Sequence, residues 1–312
     1  MFAHDTPRNF VQPCTLARRK SVDALGIGGH PGVVEVRLHH SVDEFRDIAE
    51  PLYCRDPIMH TIELTLLQAG AFPDGALLLT VWDDGTAVGA ALQTPPYPLA
   101  CSGIPADTAP AVASALARLQ PSLSGVRGVE TTAVAFADAW RDITGHCGTV
   151  TSGDKLYRLG ALLVPQGVTG SPRLATDSDR ALLVDWVERF FADAFEDPRD
   201  DDAGERFVDN ACRVDDRFVL WDVDGSPRSM AMLRAPAADV SRIGPVFTPR
   251  DERSHGYGSA VTAAAVQLAH RSGTADVVLF ADLANPTSNA IYRRIGFEPV
   301  NDWVRISFVA HD

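Results

Sequence analysis

A short loop in the C-terminal half of the chain combines glycine and arginine in a way that suits phosphate binding. Gly256 and Gly258 directly precede apolar residues at helical spacing, so they lie at the start of a predicted helix. A helix start has backbone N–H groups without partners and the positive end of the helix dipole, and glycine lets a ligand approach them closely. Arg253 and Arg250 add positive charge, which two acidic neighbours partly cancel. The loop is therefore predicted to bind an anion, and phosphate is the expected one.

Apolar runs on either side of this loop and helix predict two buried strands. The first covers residues 243–248 and ends where Pro249 cannot donate to a neighbouring strand. The second covers residues 276–280, and Asn285 and Asn289 follow it around a proline turn. Asparagines at such a turn commonly cap the next helix, which here carries Tyr292.

The order of these elements resembles motifs A and B of the GNAT superfamily of N-acetyltransferases. The resemblance covers residues 241–297: a strand, the Arg-x-x-Gly-x-Gly loop, a helix, a second strand, then Asn285 with Tyr292 seven residues later and Gly-Phe four residues after that. More closely, the chain resembles the bacterial tandem-GNAT predicted acetyltransferases, which carry a segment similar to residues 283–297. The motif Arg-x-x-Gly-x-Gly is weak evidence by itself, and the order of the elements around it makes the resemblance specific.

Membership of this family implies an α/β (α+β) fold of two GNAT-like domains. Each would have a mixed, mostly antiparallel sheet flanked by helices, with a splayed central pair of strands. The implied activity is transfer of an acetyl group from acetyl-CoA to a primary amine of a small molecule or a protein, without a metal.

The resemblance also implies roles for individual residues. Tyr292 matches the family's general acid, which protonates the departing thiolate; the alternative is an aromatic side chain that only packs against the sheet. Glu188, Asp222 and Asp282 are candidates for the general base, and a chain of water molecules is the alternative to all three. The residues expected to bind acetyl-CoA lie on the first strand, the loop and the turn: Val246, Thr248, Arg253, Ser254, His255, Gly256, Tyr257, Gly258, Ser259, Asn285 and Asn289.

The chain divides into a tail and two halves. Residues 1–32 lack apolar periodicity and predict a disordered tail, while the proline- and glycine-rich stretch 165–172 predicts a linker. Residues 33–168 and 172–312 each show a strand, helices and then a hairpin with an Asp-Gly turn, which indicates an internal duplication. The first half lacks the glycine loop and the Asn-to-Tyr spacing. It is therefore predicted to be a degenerate GNAT-like domain that walls the acceptor cleft or only braces the catalytic GNAT domain, 172–312.

Local patterns predict the remaining elements of the first half. Apolar periodicity predicts helices over residues 108–119 and 130–144, and a strand over residues 155–163. Ser41 with Glu44 three residues later predicts a capped helix start. No strand is predicted after residue 297.

Composition limits the classes of partner. A net charge of −13 opposes binding to nucleic acid or to an anionic membrane surface, and it favours a cationic amine. Five scattered cysteines without a CxxC pair indicate reduced thiols in a cytoplasm, and no apolar run is long enough to span a membrane. His39 and His40 would point to opposite faces of a strand, which argues against a metal site. The sequence leaves open whether the protein forms a homodimer.

Two other function classes stay in view. One is a non-catalytic protein that binds or senses acyl-CoA. The other is a dinucleotide-binding oxidoreductase, but the sequence after Gly258 lacks the last glycine of G-x-G-x-x-G. The acidic run 196–202 could recruit a cationic acceptor, although such runs are usually just solvated.

Overall fold

A computed structural model of the chain describes residues 22–25, 34–70, 72–120, 122–194 and 202–309. The predicted tail lies outside these residues except at Val22–Leu25, which forms a strand, so the structure differs from the expectation there. Of the acidic run 196–202, only Asp202 is described.

The described residues form strands and helices that alternate along both halves. The strands are β1 (Val22–Leu25), β2 (Val34–His39), β3 (Leu77–Asp83), β4 (Thr86–Gln93), β5 (Leu99–Ala100), β6 (Gly125–Val129), β7 (Cys147–Leu159), β8 (Ser171–Leu174), β9 (Arg217–Val223), β10 (Ser226–Leu233), β11 (Val240–Phe247), β12 (Asp276–Asp282) and β13 (Phe297–Val309). The α-helices are α1 (Val42–Tyr53), α2 (Thr61–Ala69), α3 (Ala109–Leu119), α4 (Glu130–Thr144), α5 (Arg180–Ala194), α6 (Ala203–Arg213), α7 (Tyr257–Arg271) and α8 (Pro286–Arg294).

The described strands form one sheet of 13 strands in the order β1-β2-β3-β4-β5-β6-β13-β7-β12-β11-β10-β9-β8. Strands β2 to β6 correspond to β8 to β12 in order and direction. In each set the last two strands are parallel, β5 with β6 and β11 with β12, and the other neighbours are antiparallel. The repeated topology agrees with the predicted duplication and with the predicted GNAT fold class.

Two long strands at the centre of the sheet are exchanged between the halves. Strand β7 belongs to the first half, but it lies between β12 and β13 of the second. Strand β13, at the end of the second half, lies between β7 and β6 of the first. Each half therefore completes its sheet with a strand from the other half.

The helices cover the sheet on two faces. Helices α3, α4, α7 and α8 pack on one face, which we call the glycine-loop face. Helices α1, α2, α5 and α6 pack on the opposite face, which we call the α2 face. At the centre of the α2 face, residues at and before the start of α2 cover Leu156, Val278 and Trp303, which come from three central strands. A helix of the first half thus packs over strands of the second half.

Local sequence explains the regular parts of this architecture. The predicted Asp-Gly hairpin turns form, with φ of 46° at Asp84, 73° at Gly85, 51° at Asp224 and 77° at Gly225. Positive φ at both central residues is typical of the type I′ turn, whose twist suits a hairpin. The side chain of Ser41 caps α1 as predicted.

Longer-range features differ from the predictions. Strand β7 begins at Cys147, well before predicted residue 155, and β13 was not predicted at all. In the first half, the chain after the short strand β5 packs closely against β4 and α1. There the N–H of Ala90 donates to the carbonyl oxygen of Gly103 at 3.0 Å, and a Cβ added at Gly103 would lie 2.5 Å from the ring of Tyr53.

The exchange predicts how a fragment of the chain will behave. Residues 172–312 alone lack β7, so the edges of β12 and β13 would lose their hydrogen-bonding partner. We expect this fragment to aggregate or unfold, whereas residues 147–312, which keep β7, should be more soluble and closer to native by circular dichroism and size-exclusion chromatography. A soluble, folded 172–312 fragment would contradict this prediction.

Candidate active site

A gap opens in the sheet between β11 and β12. The two strands pair from Val240 with Asp276 to Ile243 with Leu279, and the pairing stops there. Beyond this point β11 stays paired with β10 up to Phe247, while β12 stays paired with β7. Gly244, at the start of the gap, has φ of 147°, a value that L side chains rarely adopt. The predicted splay of the two strands is therefore present.

The predicted cofactor residues of β11 lie at this gap. Val246 packs at the edge of the core on the glycine-loop face. The hydroxyl oxygens of Thr248 and Ser229 are 2.8 Å apart, and Ser229 also donates to the carbonyl oxygen of Phe247 at 3.0 Å. These bonds fix the end of β11 just before the glycine loop.

Helix α7 begins directly after Gly256, which has φ of 84°. Within the described part of the chain, no group accepts a hydrogen bond from the backbone N–H groups of Tyr257, Gly258 or Ser259. Three free donors at the positive end of a 15-residue helix suit a phosphate group. His255 stacks on Tyr257 with ring centroids 5.4 Å apart, beside these donors.

The arginines of the loop are held by an aspartate that the sequence analysis missed. Asp193, in the last turn of α5, accepts hydrogen bonds from Arg250 at 2.9 Å and from Arg253 at 3.0 Å. These two bonds lower the pKa of Asp193 below its usual value. Arg253 also donates to the carbonyl oxygen of Thr248 at 3.0 Å. A phosphate would therefore share these guanidinium groups with Asp193.

The turn after β12 is fixed by two asparagines. Asn285 accepts a hydrogen bond from the N–H of Ser288 at 3.0 Å and so caps α8. Asn289 donates to the carbonyl oxygens of Asp282 and Asn285, at 2.7 and 2.8 Å, and accepts from the hydroxyl of Tyr157 at 2.8 Å. The amide of Asn289 is thus used inside the protein, and contacts of either asparagine with a cofactor remain a prediction.

Tyr292 lies on α8 in the core of the glycine-loop face. Its ring centroid is 6.5 Å from that of Tyr157 and 6.2 Å from that of Phe297. The residue is 9% exposed, and its hydroxyl makes no hydrogen bond with another described residue. Burial raises the pKa of Tyr292 to about 12, so its hydroxyl stays protonated at neutral pH.

The three candidates for the general base lie in different places. Asp222 lies on β9, three strands away from β12, and accepts a hydrogen bond from Arg173 at 3.1 Å. Glu188 lies on α5 against Gly204 of α6. Asp282 ends β12 at the gap, where it accepts a hydrogen bond from the N–H of Ala284 at 2.8 Å. Of the three, only Asp282 lies on a strand that borders the gap.

Comparisons with known proteins agree with this geometry. Residues 181–297 match the model of the acetyltransferase (GNAT) family. The chain therefore contains a GNAT acetyltransferase domain in its second half. No curated protein matches the chain.

Solved structures extend the resemblance to both halves. A GNAT-family acetyltransferase from Colwellia psychrerythraea is 10% identical with a TM-score of 0.59, and the match covers 88% of this chain and 99% of that one. A GCN5-related N-acetyltransferase from Sphaerobacter thermophilus is 15% identical with a TM-score of 0.58, over 93% and 96%. A tandem GNAT protein from the clavulanic acid biosynthesis pathway is 14% identical with a TM-score of 0.54, over 94% and 100%. Such low identity shows the fold alone, and that fold is a tandem GNAT arrangement.

Two further features of the described residues bear on partners. No helix among them has the length and apolar character needed to cross a membrane. They also contain no group of three or more His, Cys, Asp or Glu side chains that could hold a metal ion. His39 instead contacts the hydroxyl of Thr80 at 2.8 Å.

The contact between Tyr157 and Asn289 predicts that the first half supports the active site. Tyr157→Phe keeps the ring but leaves the amide oxygen of Asn289 without its donor, which should cost about 1–3 kcal/mol of folding stability. Turnover should also fall several-fold, because Asn289 fixes the turn that places Tyr292. Denaturant unfolding and steady-state kinetics test both effects.

Tyr97→Phe is the matched control, because Tyr97 is 53% exposed on the surface of the first half. If Tyr157→Phe and this control are equally stable and equally active, the proposed support is absent.

Proposed function

We propose that this protein is an acetyl-CoA-dependent N-acetyltransferase that acetylates a primary amine. The observation that carries the proposal is the position of the gap. It lies between the free N–H groups at the start of α7 and the helix α8 that carries Tyr292. The family match supports acyl transfer in general, and the gap supplies the reason to expect an acyl-CoA.

The residues around the gap suit acetyl-CoA. The free N–H groups of residues 257–259 would bind its pyrophosphate, and the unpaired edge of β11 near Val246 and Thr248 would meet its pantetheine arm. When bound, acetyl-CoA supplies the thioester that donates the acetyl group. Backbone dipoles fixed in this way stabilise developing negative charge on the thioester oxygen without reorganising.

We assign Tyr292 as the general acid of this reaction. It gives its proton to the sulfur as the carbon–sulfur bond breaks and the carbon–nitrogen bond forms. The proton lost by the amine returns to the tyrosine oxygen through solvent. A pKa of about 12 makes the hydroxyl a weak acid in isolation. The thiolate leaves in the same buried environment, which raises the pKa of a thiol as well, so the two groups remain matched.

A non-catalytic acyl-CoA-binding protein is the second candidate. The observation in its favour is the burial of Tyr292, which raises its pKa to about 12 and makes its hydroxyl a weaker acid. Release of free thiol with any amine would exclude this candidate. Cofactor binding without thiol release across a broad amine panel would support it.

The compartment we propose is the cytoplasm. Among the described cysteines, Cys54, Cys101 and Cys212 are free thiols. Unpaired cysteines are typical of a reducing compartment.

The glycine loop gives a direct test of cofactor binding. Gly256 is a poor probe, because a Cβ there would lie 3.0 Å from Val168 and the backbone has positive φ. A Cβ at Gly258 would meet only the hydroxyl of Thr248, at 3.3 Å. Gly258→Val should therefore weaken acetyl-CoA binding about 10- to 100-fold by keeping the phosphate from the backbone donors. Calorimetry measures the affinity and the stoichiometry, expected to be one site per chain.

The control for this variant is His270→Val, which adds the same β-branched residue at an exposed position in the last turn of α7. Two sites per chain, or equal affinity for Gly258→Val and the control, would refute the predicted binding mode.

Tyr292→Phe tests the catalytic role, because it removes the hydroxyl and keeps the packed ring. Loss of a general acid should lower the single-turnover rate about 10²–10⁴-fold, with little change in acetyl-CoA affinity. Because burial raises the pKa of Tyr292 to about 12, the parent should show no loss of this acid as pH rises from 6 to about 10. A single-turnover rate within about threefold of the parent's would exclude Tyr292 as the acid.

A further inference from the structure

The mouth of the gap on the α2 face is flanked by one arginine and one phenylalanine. Side chains alternate along a strand, so Arg242 shares the α2 face with Val240, which packs in the central cluster there. Arg242 is the last residue of β11 on this face before the gap opens. Phe280, on the same face of β12, directly follows the last pair, Ile243 with Leu279.

The guanidinium of Arg242 has no hydrogen bond or ion pair with another described residue, although the residue is only partly exposed. Burial, together with the positive charges of Arg234 and Arg127, lowers its pKa to about 9. The negative charge of Asp216 raises this pKa, but Asp216 already accepts a hydrogen bond from Arg234 at 2.9 Å. A desolvated guanidinium without a partner is unfavourable, so the site suits an anion.

The first half contributes the other charged groups around Arg242. Glu63 on α2 is fully buried, and neither of its carboxyl oxygens has a hydrogen-bond partner among the described residues. Burial raises the pKa of Glu63 to about 7, so much of it is uncharged at neutral pH and cannot neutralise Arg242. Arg127 on β6 bonds to Asp154 at 2.9 Å and lies 5.5 Å from the ring of Phe280. The field at the mouth is therefore net positive.

We propose that the acceptor is a free amino carboxylic acid, whose carboxylate binds Arg242 at the mouth of the gap while its amine points into the gap. This inference rests on the proposed acetyltransferase function and narrows its acceptor. A carboxylate and a guanidinium form paired, charge-assisted hydrogen bonds, which fix orientation as well as position. Phe280 and Trp303, whose ring centroids are 5.0 Å apart, provide apolar surface on the same face of the sheet.

The test compares amino acids with matched amines that lack the carboxylate. L-phenylalanine is paired with 2-phenylethylamine, L-lysine with 1,5-diaminopentane, and each amino acid also with its amide. The full chain is used, and two quantities are measured: thiol release with saturating acetyl-CoA, and direct binding by saturation-transfer NMR in the presence of coenzyme A. Calorimetry of acetyl-CoA is run on every variant.

We expect the best amino acid to exceed its amide and its amine about 10- to 100-fold in kcat/KM, the value of a charge-assisted pair. Arg242→Gln should remove this preference mainly by raising KM for the amino acid to the level of its amide. Arg242→Lys should retain part of it. Arg217→Gln, which makes the same change at an exposed arginine on β9, is the control and should behave like the parent.

The outcomes separate the two proposals. Thiol release with amines but no carboxylate preference, or a preference that survives Arg242→Gln, would overturn the inference and leave the acetyltransferase function standing. Absence of any thiol release would count against the function. The NMR measurement would then test the proposed carboxylate site without relying on activity. Amino-acid binding that is lost in Arg242→Gln supports the site, and binding that does not depend on Arg242 overturns it.

Discussion

The hydrogen bonding of β7 between β12 and β13 is the interaction on which the rest of this structure depends. Strand β12 forms one side of the gap, and β7 pairs with its other edge from Val278 to Asp282, so the strand end that leaves β11 after Leu279 stays held in the sheet. Without that partner, the strand end would carry unpaired backbone groups in the interior. A GNAT gap in this chain therefore requires a strand from the half that has no glycine loop.

The first half also contributes a positioning residue and charged residues to the second half. Tyr157 arrives on β7 and fixes Asn289, which fixes the turn before α8. On the other face, Glu63 and Arg127 come from the first half and lie within electrostatic range of each other and of Arg242. The first half thus contributes to the active half on both sides of the sheet, which goes beyond covering apolar surface.

Sequence reasoning predicted the features that depend on local chemistry. Asp-Gly turns, the glycine-started helix α7 and the capping role of Asn285 follow from neighbours in sequence, and all are present. Strand β13 was missed because it is paired on both sides at the sheet centre and alternates weakly, with Asn301, Asp302 and Arg305 among its residues. Asp193 and Arg242 gave no signal, since their importance arises from partners, or the lack of them, that lie far away in sequence.

The two halves differ most at the strand that should border each gap. In the second half β11 has eight residues and stays open on one side beyond Ile243. In the first half β5 has two residues, and the chain after it turns inward so that Gly103 bonds to Ala90 and touches Tyr53. A side chain at Gly103 would clash there. Helix α2 lies over the centre of the sheet and brings Glu63 within electrostatic range of Arg242. The strand end that borders a gap in the second half is thus packed against its own neighbours in the first half, while α2 of the first half contributes a carboxyl group near Arg242 of the second.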